Sequence, residues 1–381
     1  MHYLDHAATT PVLPEVKEAM LGALDDDFGN PSSVHSFGRR AKEIVEDARD
    51  RVAAAIGAAP AEIVFTGGGT EADNLGLKGA AAKLRGNGNH VIVSTFEHHA
   101  VLDAAGWLAK QGLEITKLPV TPEGRVDPEA VAAAVKPSTI LVSVMTVNNE
   151  IGTVQHLERI AELVHAANPQ ALVHTDAVQA LGNVPVDVHG WGVDLAAFSA
   201  HKLGGPKGVG ALFVRSSVPV EPILHGGGHE RGLRSGTLNV SGIAGFGIAA
   251  EVAAKEVYEK SDRLGPMRDR LLEGIRTVVP EVVVNGRLEQ RIAGNLNVCI
   301  PGTDGETLLI LLDQAGIACS SGSACASGAL DPSHVLLSIG VPRDLAKGSL
   351  RFSLGRASTE ADVDAVLDVF PKVVAQARRA A

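Results

Sequence analysis

Cysteine is scarce in this chain. Only Cys299, Cys319 and Cys325 occur in 381 residues, an odd number that argues against a disulfide framework and for at least one free thiol. Positive charge is also in short supply, with 34 Lys and Arg against 44 Asp and Glu and a net charge of −10. A broad electrostatic footprint for nucleic acid is therefore not expected. The first residues lack a basic segment followed by an apolar one, and no later run approaches the ~20 apolar residues of a membrane helix. The expectation is a soluble cytoplasmic protein without direct nucleic-acid or membrane binding. Repeats of fixed period and low-complexity tracts are missing too. What is present is an apolar content of 45%, enough to bury a substantial core in one large domain or two ordinary ones. The 42 glycines gather in clusters, and ligand sites are sought there.

Helical periodicity covers Pro14 to Leu24 and Gly38 to Ile56, and the apolar run Ile63-Val64-Phe65 ends at Gly67-Gly68-Gly69, the pattern of a strand entering a glycine turn. The spacing then predicts helices at Glu71 to Arg85, Ala100 to Lys110 and Leu157 to Ala167. Strands are predicted at His90 to Ser94, Ile140 to Met145, Ala171 to Thr175, Leu195 to Ser199 and Gly210 to Val214. Short apolar strands alternating with helices define a mostly parallel sheet covered on both faces. From about Ser241 a long Ala- and Glu-rich helical stretch contains Pro266, where the helix is expected to kink or restart. Beyond it, strands at Val282 to Val284, Asn295 to Ile300 and Leu350 to Ser353 mix with helices at Glu306 to Ala315, His334 to Ile339 and Glu360 to Ala377. That mixture reads as a smaller α+β domain. The expected division is a large domain over residues 16–255, a small one over 256–381, and an N-terminal segment 1–15 packed with the small domain.

Lys202 follows the strand ending at Ser199 and precedes a second glycine cluster, Gly204-Gly205-Pro206-Lys207-Gly208. Ligands of open α/β sheets bind beyond the carboxyl ends of strands, where a partly desolvated lysine can form a Schiff base. The bland alternative is a solvated loop lysine. Asp176 also ends an apolar strand, one strand-helix-strand unit upstream, and a carboxylate there can pair with a protonated ring nitrogen. Pyridoxal phosphate needs such a lysine and carboxylate, an anion site for its phosphate and a group over its ring. The turn Thr66-Gly67-Gly68-Gly69-Thr70-Glu71 offers backbone N–H groups at a helix start, although many glycine turns bind nothing. Ser199, His201 and Thr70 can add donors to the same phosphate. In Glu97-His98-His99 an imidazole can stack on a ring and exchange protons near neutral pH.

Six segments in order, Asp5-His6-Ala7-Ala8-Thr9-Thr10, Phe65 to Asn74, Asn148-Asn149-Glu150-Ile151-Gly152, Ser199-Ala200-His201-Lys202, Gly226 to Arg231 and Arg234-Ser235-Gly236-Thr237, resemble cysteine desulfurases. These belong to the class V group of the pyridoxal-phosphate fold type I superfamily. A seventh, Ser321 to Gly328 around Cys325, is similar to the cysteine loop of the NifS/IscS-like subgroup. The resemblance covers nearly the whole chain. It implies an α/β fold with a mostly parallel seven-stranded sheet, a smaller α+β domain, and a homodimer.

It further implies Lys202 as the Schiff-base lysine, Asp176 as the pyridinium partner, His98 over the ring, Gln179 against the phenolic oxygen and Asn149 near the ring. Gly69, Thr70, Ser199 and His201 would hold the phosphate, with Thr237 arriving from the second subunit on the His225 to Thr237 stretch. Arg351 would clamp the substrate carboxylate, assisted by Asn30. The implied reaction converts L-cysteine to L-alanine, and Cys325 takes the sulfur as a persulfide for an acceptor protein. A free thiol ionises near ~8.5, so the nucleophile needs a proton acceptor, for which His98 is the candidate. The Gly, Ser and Ala around Cys325 predict a mobile surface loop suited to such shuttling.

An iron-sulfur scaffold and a tRNA-thiolating enzyme both stand as acceptors, and the residues do not choose between them. Cys319 and Cys325 lack the tight spacing of a metal pair, so no metal site is expected. Cys299 is expected to face the core. The alternatives are a selenocysteine lyase, a small-amino-acid aminotransferase of the same class, and a non-catalytic protein that keeps the fold.

Overall fold

The computed structural model describes residues 1–321 and 332–380. After β1 (His2–Tyr3) and the helices Pro14–Asp25 and Ser36–Ile56, the chain forms β2 (Ile63–Thr66), β3 (His90–Ser94), β4 (Glu114–Leu118) and β5 (Thr139–Ser143). It continues with β6 (Leu172–Asp176), β7 (Leu195–Ser199) and β8 (Gly210–Val214). β2 to β8 make one seven-stranded sheet in the order β2-β8-β7-β6-β5-β3-β4. Only β8 runs against its neighbours; the remaining pairs are parallel.

Side chains alternate across the sheet, and the core divides accordingly. Ile63, Phe65, Ile92, Val142, Val173 and Phe198 pack with helices Ser36–Ile56 and Leu157–Ala167. Val64, Val91, Val93, Leu141, Leu195 and Leu212 face the opposite side, against the helical run that begins at Gly69 and against His99–Lys110. With both faces covered, most strands are apolar throughout.

The edge strand β4 and the helix Pro128–Ala134 depart from the sequence reading, which has neither. β4 has one neighbour and an exposed polar side, so it carries no apolar run. The short helix relies on Asp127, whose side chain caps Glu129 N–H at 3.1 Å.

At Pro266 the helix does not restart. The helix Val240–Val278 is continuous through it for 39 residues. Proline removes one backbone bond, at a cost of about 3 kcal/mol, but the helix is buried on both sides of the break. Ile243, Phe246 and Ala250 belong to the core of the seven-stranded sheet. Leu264, Met267, Leu271, Leu272 and Ile275 belong to a separate core under a three-stranded antiparallel sheet.

That smaller sheet consists of β9 (Val283–Val284), β10 (Asn295–Cys299) and, at its other edge, β12 (Ser349–Ser353). The short β11 (Ile317–Ala318) pairs in parallel with β1. Leu4 lies in the second core, and Asp5 bridges to Ser353. Cys299 is buried, as expected, with its thiol 3.2 Å from Asn285 Nδ2. Burial pushes that thiol up to about 11. No helix among the described residues is long and apolar enough to cross a membrane.

The segment carrying Glu230 and Arg231 is held in a conformation unusual for non-glycine residues, with φ of 45° and 55°. Its anchor is a buried ion pair: Arg49 donates to both Glu230 carboxylate oxygens at 2.7 and 2.8 Å, and Phe65 N–H adds a third bond at 2.7 Å. Glu230→Ala would remove the buried counterion of Arg49 and leave it only the more exposed Glu46, 3.1 Å away. A loss of about 3–5 kcal/mol is expected, read as a lower urea midpoint at unchanged slope.

Candidate active site

The strand order reverses between β3 and β5. From β3 the chain moves outward to β4, then returns to the other side of β3 and proceeds through β5, β6 and β7. Such a switch point opens a crevice beyond the carboxyl ends of the strands. Asp176 is the last residue of β6, Ser199 the last of β7, and Glu97 and His98 follow β3.

Asp176 is 4% exposed and accepts a hydrogen bond from Val178 N–H at 2.9 Å. Burial pushes its carboxyl above the usual range, while the positive charges of His98 and Lys202 pull it back toward ionisation. Those three side chains therefore lie within electrostatic reach of one another. His98 caps the helix His99–Lys110, its Nδ1 accepting from Ala100 N–H at 3.1 Å. That bond directs the other ring nitrogen away from the helix end.

Lys202 sits on a single helical turn, Ala200–Lys202, directly after β7. Its Nζ donates to the carbonyls of Ala7 and Ala8 at 2.6 and 2.8 Å. Gln179 Nε2 donates to the same Ala7 carbonyl at 2.9 Å. The N-terminal segment thus fixes two residues assigned from sequence. His201 Nδ1 lies 3.1 Å from Thr9 Oγ1, and burial, with Lys202 and Lys207 nearby, lowers this imidazole to about 4. It is neutral at physiological pH.

The glycine turn after β2 opens the helix Gly69–Asn74. The helix begins at Gly69, leaving its first N–H groups unpaired within the helix. A Cβ on Gly69 would stand 2.6 Å from Val178 Cγ2 and 3.4 Å from Ser199 Cβ. This ties the turn to the ends of β6 and β7 and leaves no room for a side chain. Gly69→Val is expected to shift the turn, at a cost of about 1–3 kcal/mol. Fluorescence titration of the apoprotein with pyridoxal phosphate should show about 5- to 150-fold weaker binding, since 1.4 kcal/mol is a factor of ten.

Arg351 lies on β12, opposite Asn297 of β10, and is 2% exposed. Nη1 donates to the Asn149 carbonyl and Nη2 to Asp5 Oδ1, both at 2.8 Å; Nε has no hydrogen-bond partner among the described residues. Asp5 thus occupies one end of the Arg351 guanidinium. Asn149 is brought to Arg351 by its backbone, whereas the Asn148 side chain braces the loop, accepting from Glu150 and Ile151 N–H. Asn30 is exposed, its Oδ1 accepting from Ser32 N–H at 2.9 Å. Thr237 is also exposed. Cys319 is pushed up to about 12 by burial and by Asp5, the opposite of an activated thiol. Cys325 lies outside the described residues.

Two features escaped the sequence reading. Asp5 was part of a quoted motif, but its partnership with a residue 346 positions away leaves no local signal. Glu97, Asp73 and His174 form a buried titratable group beside Asp176, discussed below. Glu97 is fully buried; its Oε1 accepts from Met145 N–H at 2.9 Å and from the Ser94 hydroxyl, and burial raises the carboxyl to about 8.

Residues 2–366 match the family described as aminotransferase class V, and the chain belongs to that family. Among its relatives, it is 49% identical over 376 residues to cysteine desulfurase IscS of Methanosarcina thermophila, covering 99% of this chain and 92% of that one. It is 45% identical to cysteine desulfurase IscS 1 of Archaeoglobus fulgidus, over 99% and 98% of the two chains. A solved NifS-like protein superposes with a TM-score of 0.93 at 38% identity, over 99% of this chain and all of the other. A structure described as SspA in complex with cysteine gives 0.82 at 34% identity, over 93% and 99%.

Proposed function

We propose that this chain is a cysteine desulfurase that binds pyridoxal 5'-phosphate, converts L-cysteine to L-alanine and passes the sulfur to an acceptor protein. The observation that carries the reading is Asp176, a carboxylate buried at a strand end and drawn toward ionisation by both His98 and Lys202. A buried carboxyl facing an amine and an imidazole, beside a glycine turn with no room for a side chain, suits a cationic ring carrying an aldehyde and a phosphate. Gly69, Thr70, Ser199 and His201 would hold the phosphate, Asp176 the ring nitrogen, Gln179 the phenolic oxygen, and His98 and Asn149 would flank the ring. When bound, pyridoxal phosphate supplies the electron sink that makes the Cα–H bond of an attached amino acid acidic.

The protein's own residues supply the rest. Lys202 Nζ, held by the Ala7 and Ala8 carbonyls, would be the amine that holds the cofactor aldehyde and the base that carries the Cα proton. Arg351 orients the substrate through its carboxylate, displacing Asp5, with Asn30 assisting. His98 accepts the proton of the substrate thiol. Cys325 Sγ bonds to the substrate sulfur as the Cβ–S bond breaks, so L-cysteine and the enzyme thiol become L-alanine and an enzyme persulfide. The persulfide then goes to an iron-sulfur scaffold or a tRNA-thiolating enzyme in the cytoplasm. We assign residues 16–255 to the cofactor-binding domain, 256–381 to the domain carrying Cys325, and 1–15 to a segment packed with the latter. The anchored stretch through Glu230 supports a homodimer in which Thr237 reaches the partner's phosphate.

Cys325→Ala tests the sulfur step. In anaerobic incubation with L-cysteine and a reductant, the parent protein should release alanine and sulfide in equal amounts, and the variant should release neither above background. Equal production by both would instead indicate a lyase that does not use this thiol. A keto acid product would indicate an aminotransferase.

A further inference from the structure

Behind Asp176 lies a pair of polar atoms that the proposed chemistry does not use. Asp73, on the helix Gly69–Asn74, is 1% exposed, and His174, on β6, is fully buried. Asp73 Oδ1 and His174 Nε2 face each other at 3.5 Å, and neither has a hydrogen-bond partner. The other ring nitrogen, Nδ1, is 2.9 Å from Ser143 Oγ. The ring packs against Gly76, where an added Cβ would stand 2.9 Å from its Cδ2. Gly76 belongs to a π-helical turn, Leu75–Gly79, inserted directly after Asp73's helix, and such turns often sit at functional sites. His174 and Asp176 are two residues apart on one strand and so share a face of the sheet.

We infer that Asp73 is a positioning residue that stays protonated and donates to His174 Nε2, leaving Asp176 as the one ionised group among Asp73, Glu97 and Asp176. This rests on the reading of Asp176 as the partner of the cofactor's ring nitrogen. Neighbouring buried carboxylates do not all ionise, because each added charge lacks solvent and repels the others. The groups facing Asp73 are Asp176, Glu97 and His174; Asp176 in turn faces His98 and Lys202. Lys202 and the Val178 N–H bond therefore favour charge on Asp176, and nothing comparable favours it on Asp73. Burial raises the Asp73 carboxyl well above its usual range and lowers His174 to about 3, so the neutral pair prevails over an ion pair. A neutral His174 that accepts at Nε2 must carry its proton on Nδ1 and donate it to Ser143 Oγ.

Nitrogen NMR of the histidine-labelled holoenzyme reads this directly. His174 should show a protonated Nδ1 and a bare Nε2 between about pH 6 and pH 9. Asp73→Asn offers an amide N–H to the same nitrogen. It should keep the tautomer, change kcat/KM less than about twofold, and move the pH midpoint of the cofactor absorption band by less than half a unit, roughly the limit for an uncharged replacement. Asp73→Leu should lose the defined tautomer. An imidazolium at His174, a proton on Nε2, or a midpoint shift of about one unit or more in Asp73→Asn would overturn the inference. A parent protein that takes up no pyridoxal phosphate would defeat the cofactor reading instead, while the NMR result would still stand or fall alone.

Discussion

Lys202→Ala is expected to reduce L-cysteine turnover by about 10³-fold or more, because one amine both joins the cofactor and moves the Cα proton. The protein should still fold, since the hydrogen bonds of Nζ to the Ala7 and Ala8 carbonyls fasten a loop and not the core. It should also still take up pyridoxal phosphate non-covalently, through the glycine turn and Asp176, with the absorption of the free aldehyde. Added small amines should restore part of the lost rate. Steady-state assays of alanine release with and without methylamine provide the check. Full activity in the variant would assign the amine role to another residue.

The second large effect concerns Arg351→Leu. A charge-assisted contact to a substrate carboxylate is worth about 2–3 kcal/mol, so KM for L-cysteine should rise by about 30- to 150-fold with a smaller change in kcat. The geometry adds a condition. Arg351 spends Nη2 on Asp5 Oδ1 and Nη1 on the Asn149 carbonyl, so under the proposed role Asp5 would compete with the substrate for the same group. Asp5→Asn should therefore lower KM, opposite in sign to the arginine substitution.

The strands that hold the site were legible because they are apolar on both faces. β3, β7 and β8 occupy the residues that the apolar runs mark, and β6 differs by one position at each end. β4 was not legible, because an edge strand with an exposed side mixes polar residues into its run. Pro266 misled for a different reason. Proline's local cost is visible in sequence, whereas burial of the same helix against two cores is a tertiary property.

The site divides along similar lines. Lys202, Asp176 and His98 announce themselves by ending or following apolar strands, and the family motifs add Gln179, Asn149 and Arg351. The fastening of Lys202 by the Ala7 and Ala8 carbonyls does not show in sequence, since backbone acceptors carry no residue signature. Nor does the Asp73–His174 contact, which joins residues 101 positions apart only after the helix following β2 packs beside β6.

The central claim is that the Lys202 amine forms the covalent attachment to pyridoxal phosphate. Borohydride reduction of the loaded protein, followed by proteolysis and mass mapping, should find the cofactor's mass on the peptide containing Lys202 and on no other lysine. A label at Lys207, or none anywhere after full loading, would contradict the account.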